Sequence, residues 1–176
     1  MSIDVSKQAR FTGLCYGVQA WALNRNFFAD GGATYKGQWM KLVEEFGELA
    51  LGLNKRKPDV IKDSIGDVIV VLCVLDGFGG RCLMQEYKLE PTEQHTETVP
   101  SFCVFRLLQC IEDLYKAKHM NDSLFAETLQ CAMHWLCCLA KINGLDVVDC
   151  LEYSYNEIKD RKGKMVNGVF IKEEDL

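Results

Sequence analysis

"GQWMKLVEEFGELALGLN", residues 37–54, reads as one amphipathic helix. Trp39, Leu42, Val43, Phe46, Leu49, Ala50 and Leu53 recur at intervals of three and four, which lays one apolar stripe along a helix predicted over 35–54. Among them stand Glu44, Glu45 and Glu48, close enough in helical register to share a face. "NKRK" then makes a short polar turn. Pro58 suits the first position of a following helix, with Asp59 favourable at its positive end. That helix is expected to run to about Phe78 and to stop at Gly79–Gly80; its later half is apolar all round, which places it at the centre of a bundle. It carries Asp63 and Asp67 one turn apart, and Gly66 between them leaves room for a close neighbour. A short turn makes the two helices antiparallel, so their acidic faces can meet.

The same periodicity predicts helices over 6–28, 102–118, 123–142 and 147–162, with Gly144 as a stop and Asp146 as an N-cap. "KLEPTEQHTETVP", 88–100, reads as an exposed loop, and the glycine-punctuated tail over 162–176 as extended or irregular. The expectation is a single all-α domain, a bundle of about six helices. Shifting the chain by 64 positions lays Glu112 on Glu48 and Leu136, Cys137 and Leu139 on Leu72, Cys73 and Leu75, with Glu127 on Asp63. The same shift puts Gln109 opposite Glu45 and Cys131 opposite Asp67. A duplicated helix pair that lost its carboxylates and the chance likeness of two amphipathic pairs both account for this.

Net charge is −5 and the isoelectric point about 5.3, which argues against a nucleic-acid or membrane-surface partner. Any bound anion needs a local cluster of cations. The N-terminal residues have no signal-peptide pattern, and no apolar run reaches membrane-spanning length. Nine cysteines include no CxxC pair, so buried free thiols in a cytoplasm, the host's if a phage encodes the chain, are expected. His119 and His134 fall in patterns of surface or packed side chains.

Carboxylates meeting without cations repel, and some must keep their protons. A hard divalent ion removes that cost, and oxygen-only ligands suit Mg²⁺ or Mn²⁺. The competing reading is a solvated acidic face paired with lysines such as Lys41. Aspartates beside Ile65, Val68 and Ile69 weigh toward the metal, because they are costly to bury alone. The cation cluster is found in "SYNEIKDRKGKM", 154–165, with Lys159, Arg161, Lys162 and Lys164. Tyr155 and Asn156, one turn earlier, are placed to contact a base or ribose. Dipole complementation at a helix C-terminus explains the same cations without a ligand.

"EEFGE" followed by "SIGD" resembles the EExxE and ExxD motifs of the MazG-like all-α nucleoside triphosphate pyrophosphohydrolases. "VQAWALNRN" (18–26), "GQWMKLVEEFGELA" and "YNEIKDRKGKMVNGVF" resemble segments of the small phage and bacterial members. Ser64 stands where the family has a glutamate, and Asp63 is the substitute at hand. The resemblance implies Mg²⁺-dependent hydrolysis of an NTP or dNTP to the monophosphate and pyrophosphate. Phosphoribosyl-ATP or an alarmone is an alternative substrate, and a nucleotide sensor or helical interaction protein without turnover is the alternative from another class. Carried over, Glu45, Glu48 and Asp67 are metal ligands with Asp63 a fourth, and Glu44 is a supporting acid beside Glu45. Lys159, Arg161 and Lys162 grip phosphates, while Trp21 and Asn24 or Asn26 contact the nucleoside. The resemblance also implies a homodimer or a higher homo-oligomer.

Overall fold

The computed structural model describes residues 4–80, 83–89, 99–117, 122–173 and 176. Seven helices and a hairpin follow in order: α1 (Val5–Asn24), α2 (Tyr35–Lys55), α3 (Pro58–Gly77), α4 (Leu83–Glu86), α5 (Pro100–Ala117), α6 (Asp122–Ile142), α7 (Val147–Ile158), β1 (Gly163–Val166) and β2 (Val169–Lys172). The architecture is all-α apart from that hairpin. Most of the 88–100 loop expectation, and His119, lie outside the described residues.

Local chemistry sets the helix ends. Pro58 occupies the start of α3 with Asp59 in its first turn, and Asp146 caps α7 by accepting from the Val148 N–H at 2.8 Å. Gly144, at φ +69°, takes the left-handed conformation that ends α6. Among the described residues no single helix is long and apolar enough to cross a membrane. All eight described cysteines are free, six of them buried.

α3 is the central element, packed on α1, α2, α6 and α7. From Ser64 to Asp76 every residue is buried except Asp67. Each such aliphatic side chain contributes about 1.5–3 kcal/mol by leaving water, so a helix this apolar is stable only inside a bundle. Asp67 is the one break in that wall. On α2 the stripe is narrower than its periodicity suggests: Leu42 and Leu49 are fully buried, Val43 turns out to solvent, and Glu45 lies on the buried line at 5% exposure. Gly66 meets α7 directly, since a Cβ there would fall 2.3 Å from the Cys150 carbonyl oxygen.

α2 is fastened to the last turns of α5. The Tyr35 hydroxyl donates to the Leu114 carbonyl and the Trp39 indole N–H to that of Ile111, each at 2.7 Å. Tyr35→Phe leaves a buried carbonyl without this donor and is expected to lower the free energy of unfolding by about 1 kcal/mol in urea titrations.

Three expectations are corrected. The first helix ends at Asn24 rather than 28, because the chain turns through Asn26 at φ +59°. The last helix ends at Ile158 rather than 162. The Arg25 guanidinium donates to the Lys159 carbonyl at 3.2 Å and to the Arg161 carbonyl at 2.7 Å, satisfying two groups just beyond the helix end. Of the two readings of the tail the extended one holds and the irregular one does not, because it forms an ordered hairpin: Asn167 and Gly168 both have positive φ (51° and 80°), the two-residue turn that matches strand twist. Under the 64-position shift α3 lands on 122–141, and α6 spans Asp122–Ile142.

Candidate functional site

α2, α3, the end of α7 and the hairpin enclose a cleft of about 510 Å³. Glu44, Glu45 and Glu48 enter it from α2 and Asp67 from α3. Arg161 and Lys172 line it from the open end of the hairpin, and Trp21, Phe27 and Phe170 close the remaining side. The three rings form one cluster, with centroids 5.1 Å apart for Trp21 and Phe27 and 5.8 Å from each to Phe170. Phe170 belongs to β2, so the hairpin is pinned to α1 by its own aromatic side chain. Arg25 stacks over Trp21 at 5.0 Å while it holds the hairpin's first carbonyls. The Trp21 indole N–H is buried without a hydrogen-bond partner.

The electrostatics are those of an acid cluster short of positive charge. Burial, then the nearby Glu45 and Asp63, push the Asp67 carboxyl up to about 7, against a hydrogen bond from Ser154. Burial also raises Asp63, with Glu157 and Glu48 adding to it and Arg161 opposing. Asp63 Oδ1 is buried with no hydrogen-bond partner. Glu45 is raised by burial despite Lys41, whose Nζ lies 2.6 Å from Glu45 Oε1 and 3.0 Å from Glu44 Oε1. This is the lysine pairing that a purely solvated acidic face requires, yet it reaches only two of the acids.

Of the residues expected from sequence, Glu44, Glu45, Glu48, Asp67, Arg161 and Trp21 line the cleft. Asp63 sits behind Asp67, close enough to raise it. Asn24 and Asn26 are exposed and do not line the cleft; Phe27 does instead. Lys159 binds the Asn156 side chain at 2.8 Å on the exposed face of α7, which occupies both residues away from the acids. Lys162 lines a separate depression with Glu157, Asp160 and Glu173. Ser64 is buried at 1% exposure. Phe170 and Lys172 were not singled out because no local pattern brings a C-terminal strand to α2. The turn signal Asn167–Gly168 was readable, and it would have predicted the hairpin though not its docking.

The donor set fits a hard divalent cation. Every donor is a carboxylate oxygen, Asp63 Oδ1 has no partner, and burial with the neighbouring acids raises Asp67. Among the described residues no three His, Cys, Asp or Glu side chains form a ready-made metal cluster, consistent with Lys41 drawing Glu44 and Glu45 to itself.

A raised carboxyl costs stability once it ionises. The folded chain binds the Asp67 proton more tightly than the unfolded chain does. The contribution is therefore intact in acid and lost as pH rises from the normal carboxylate range through about 7. Asp67→Asn is expected to stabilise the metal-free protein at pH 8 by about 2 kcal/mol, and the gain should vanish near pH 4. Thermal melts in a chelating buffer at both pH values check this.

No protein family's sequence profile matches the chain, and no solved structure matches it. The chain is similar to an 18.2 kDa protein, described as uncharacterised, from the rep–hol intergenic region of Haemophilus phage HP1, with 53% identity over 58 residues. That stretch is 33% of this chain and 34% of the phage protein, so the chain spans about a third of the relative it matches.

Proposed function

We propose that the protein is a Mg²⁺-dependent nucleoside triphosphate pyrophosphohydrolase of the MazG-like all-α type. The observation that carries this reading is the joining, in one cleft, of four carboxylates, three cations and an aromatic cluster. Glu45, Glu48 and Asp67, with Asp63 behind them, would hold Mg²⁺. When bound, the ion supplies charge neutralisation for a polyphosphate and lowers the pKa of water. Arg161 and Lys172 face the acids across the cleft, where they bind phosphate oxygens and offset charge on the departing pyrophosphate. Trp21, Phe27 and Phe170 offer a face on which a base stacks, with the unpartnered Trp21 N–H as a polar contact. Glu44 is exposed at the rim and takes the proton from attacking water, released from Lys41 when that lysine turns to solvent or substrate.

Pyrophosphate release from a panel of NTPs and dNTPs with Mg²⁺ tests this. Monophosphate and pyrophosphate are the expected products. Release no greater than that of Asp67→Ala, across the whole panel, would remove the reading. The same panel extended to phosphoribosyl-ATP and alarmones separates those substrates.

Ser64 favours a second reading, a nucleotide sensor without turnover, since the family's glutamate is replaced by a small buried side chain. A sensor gives a thermal shift with Mg²⁺ and nucleotide but no product. At a hundred times Kd the stabilisation should be about 2.7 kcal/mol.

A further inference from the structure

A second cleft, of about 280 Å³, opens between α5 and α6. Under the 64-position shift its Cys131, Gln109 and Glu127 stand where Asp67, Glu45 and Asp63 stand on the first helix pair. Cys131 thus stands at the Asp67 position and Gln109 at that of Glu45, and a second thiol, Cys110, stands where α2 has Phe46. Cys131 is half-buried and lines the cleft, and Cys110, also on its wall, is 5% exposed.

The surroundings of Cys131 differ from those of the other cysteines. The Cys110 thiol hydrogen-bonds to its sulfur, and the Arg106 guanidinium bears on the same atom. Arg106 stacks over the Trp135 ring at 5.5 Å, and its Nε has no hydrogen-bond partner. These contacts, the Cys110 hydrogen bond foremost, hold the Cys131 thiol below its usual range despite burial. Burial instead pushes Cys103 up to about 11 and Cys137 and Cys150 up to about 12. A half-buried cysteine on a cleft wall that it shares with a guanidinium and a second thiol has the features of a reactive pair rather than of packed core sulfur.

We infer that Cys110 and Cys131 form a peroxide-reactive dithiol, in which Cys131 attacks, Cys110 resolves and Arg106 positions the incoming oxidant. The Cys131 thiolate attacks one oxygen of hydrogen peroxide. The O–O bond breaks, and hydroxide leaves to become water with a proton from solvent. The sulfur is oxidised to the sulfenic acid while peroxide is reduced by two electrons. The Cys110 sulfur then attacks the Cys131 sulfur. An S–S bond forms, the S–O bond breaks, and the hydroxide departs as water with the Cys110 proton. The product ties α5 to α6.

The full-length reduced protein, given one equivalent of hydrogen peroxide and then alkylated, is mapped by peptide mass spectrometry. The expected result is a Cys110–Cys131 cross-link as the main product, with an intact mass lower by about 2 Da. Cys110→Ser should instead leave a sulfenic acid on Cys131 that a cyclic 1,3-dione traps. Arg106→Gln, with unchanged circular dichroism in the reduced state, should slow Cys131 oxidation about tenfold. Oxidation spread over the cysteines without preference for Cys131, or an unchanged rate in Arg106→Gln, overturns the inference. The wild-type peptide map alone decides the first point if a variant fails to fold.

Discussion

Asp67→Asn is expected to lose about a hundredfold or more of Mg²⁺-dependent pyrophosphate release while melting at a higher temperature than the parent chain. The two effects share one cause. Asp67 is the single half-exposed residue in the buried run of α3, and it faces Glu45 from α2 with Asp63 behind it. Its ionised form has no cation of its own in the metal-free fold, so the amide relieves repulsion. The same amide lacks the charge that a divalent ion requires. Merely packing carboxylates would behave differently: on a purely structural bundle the amide stabilises, and no Mg²⁺-dependent property changes. Parallel thermal melts and pyrophosphate assays at pH 8 separate the two. A variant that is more stable and as active as the parent removes Asp67 from the site.

How far the sequence carried this reading depends on the range of each interaction. The pairing of α2 with α3 was legible, because a stripe at three and four, a four-residue polar turn and Pro58 at the next helix start are all local signals. The acids were legible for the same reason: three glutamates share one face of α2, and Asp67 interrupts a run that otherwise reads as core, although the burial of Glu45 was not foreseen. The partners of these acids were not. Lys41 was named as a neutralising lysine, but which carboxylates it reaches depends on rotamers. Lys172 and Phe170 arrive from the chain's last strand, more than 100 residues beyond α2, and only packing on Trp21 and Phe27 brings them there. Lys159 and Lys162 were expected beside Arg161 from helical spacing. The end of α7 at Ile158 removes that spacing: Lys159 binds Asn156 on the exposed face, and Lys162 lines a neighbouring depression that Arg161 also borders.

The largest expected loss of stability comes from one methyl group next to the site. In Gly66→Ala the new Cβ would lie 2.2 Å from Ser154 Oγ, 2.3 Å from the Cys150 carbonyl oxygen and 2.9 Å from its carbon. A serine hydroxyl can rotate away, but the backbone of α7 cannot move without taking its neighbours with it. Alanine is intrinsically the better helix former by about 1 kcal/mol, and overpacking of this kind costs about 1–3 kcal/mol or more. With backbone as the obstacle on both sides the clash wins, and a net loss of about 3 kcal/mol is expected in urea unfolding. Gly13→Ala provides the matched control: it also lies within a helix, nothing stands within 4 Å of its added Cβ, and it should stabilise by about 0.5–1 kcal/mol. The consequence reaches the cleft, because α7 carries Ser154 and Glu157 beside Asp63 and Asp67 and leads into Arg161. If α7 is displaced by that methyl, the cations retreat from the acids. Gly66→Ala should then lose nucleotide-dependent thermal stabilisation even at temperatures where it remains folded. Unchanged stability would mean that α3 and α7 are not in backbone contact at Gly66, and the cleft built on that contact would have to be redrawn.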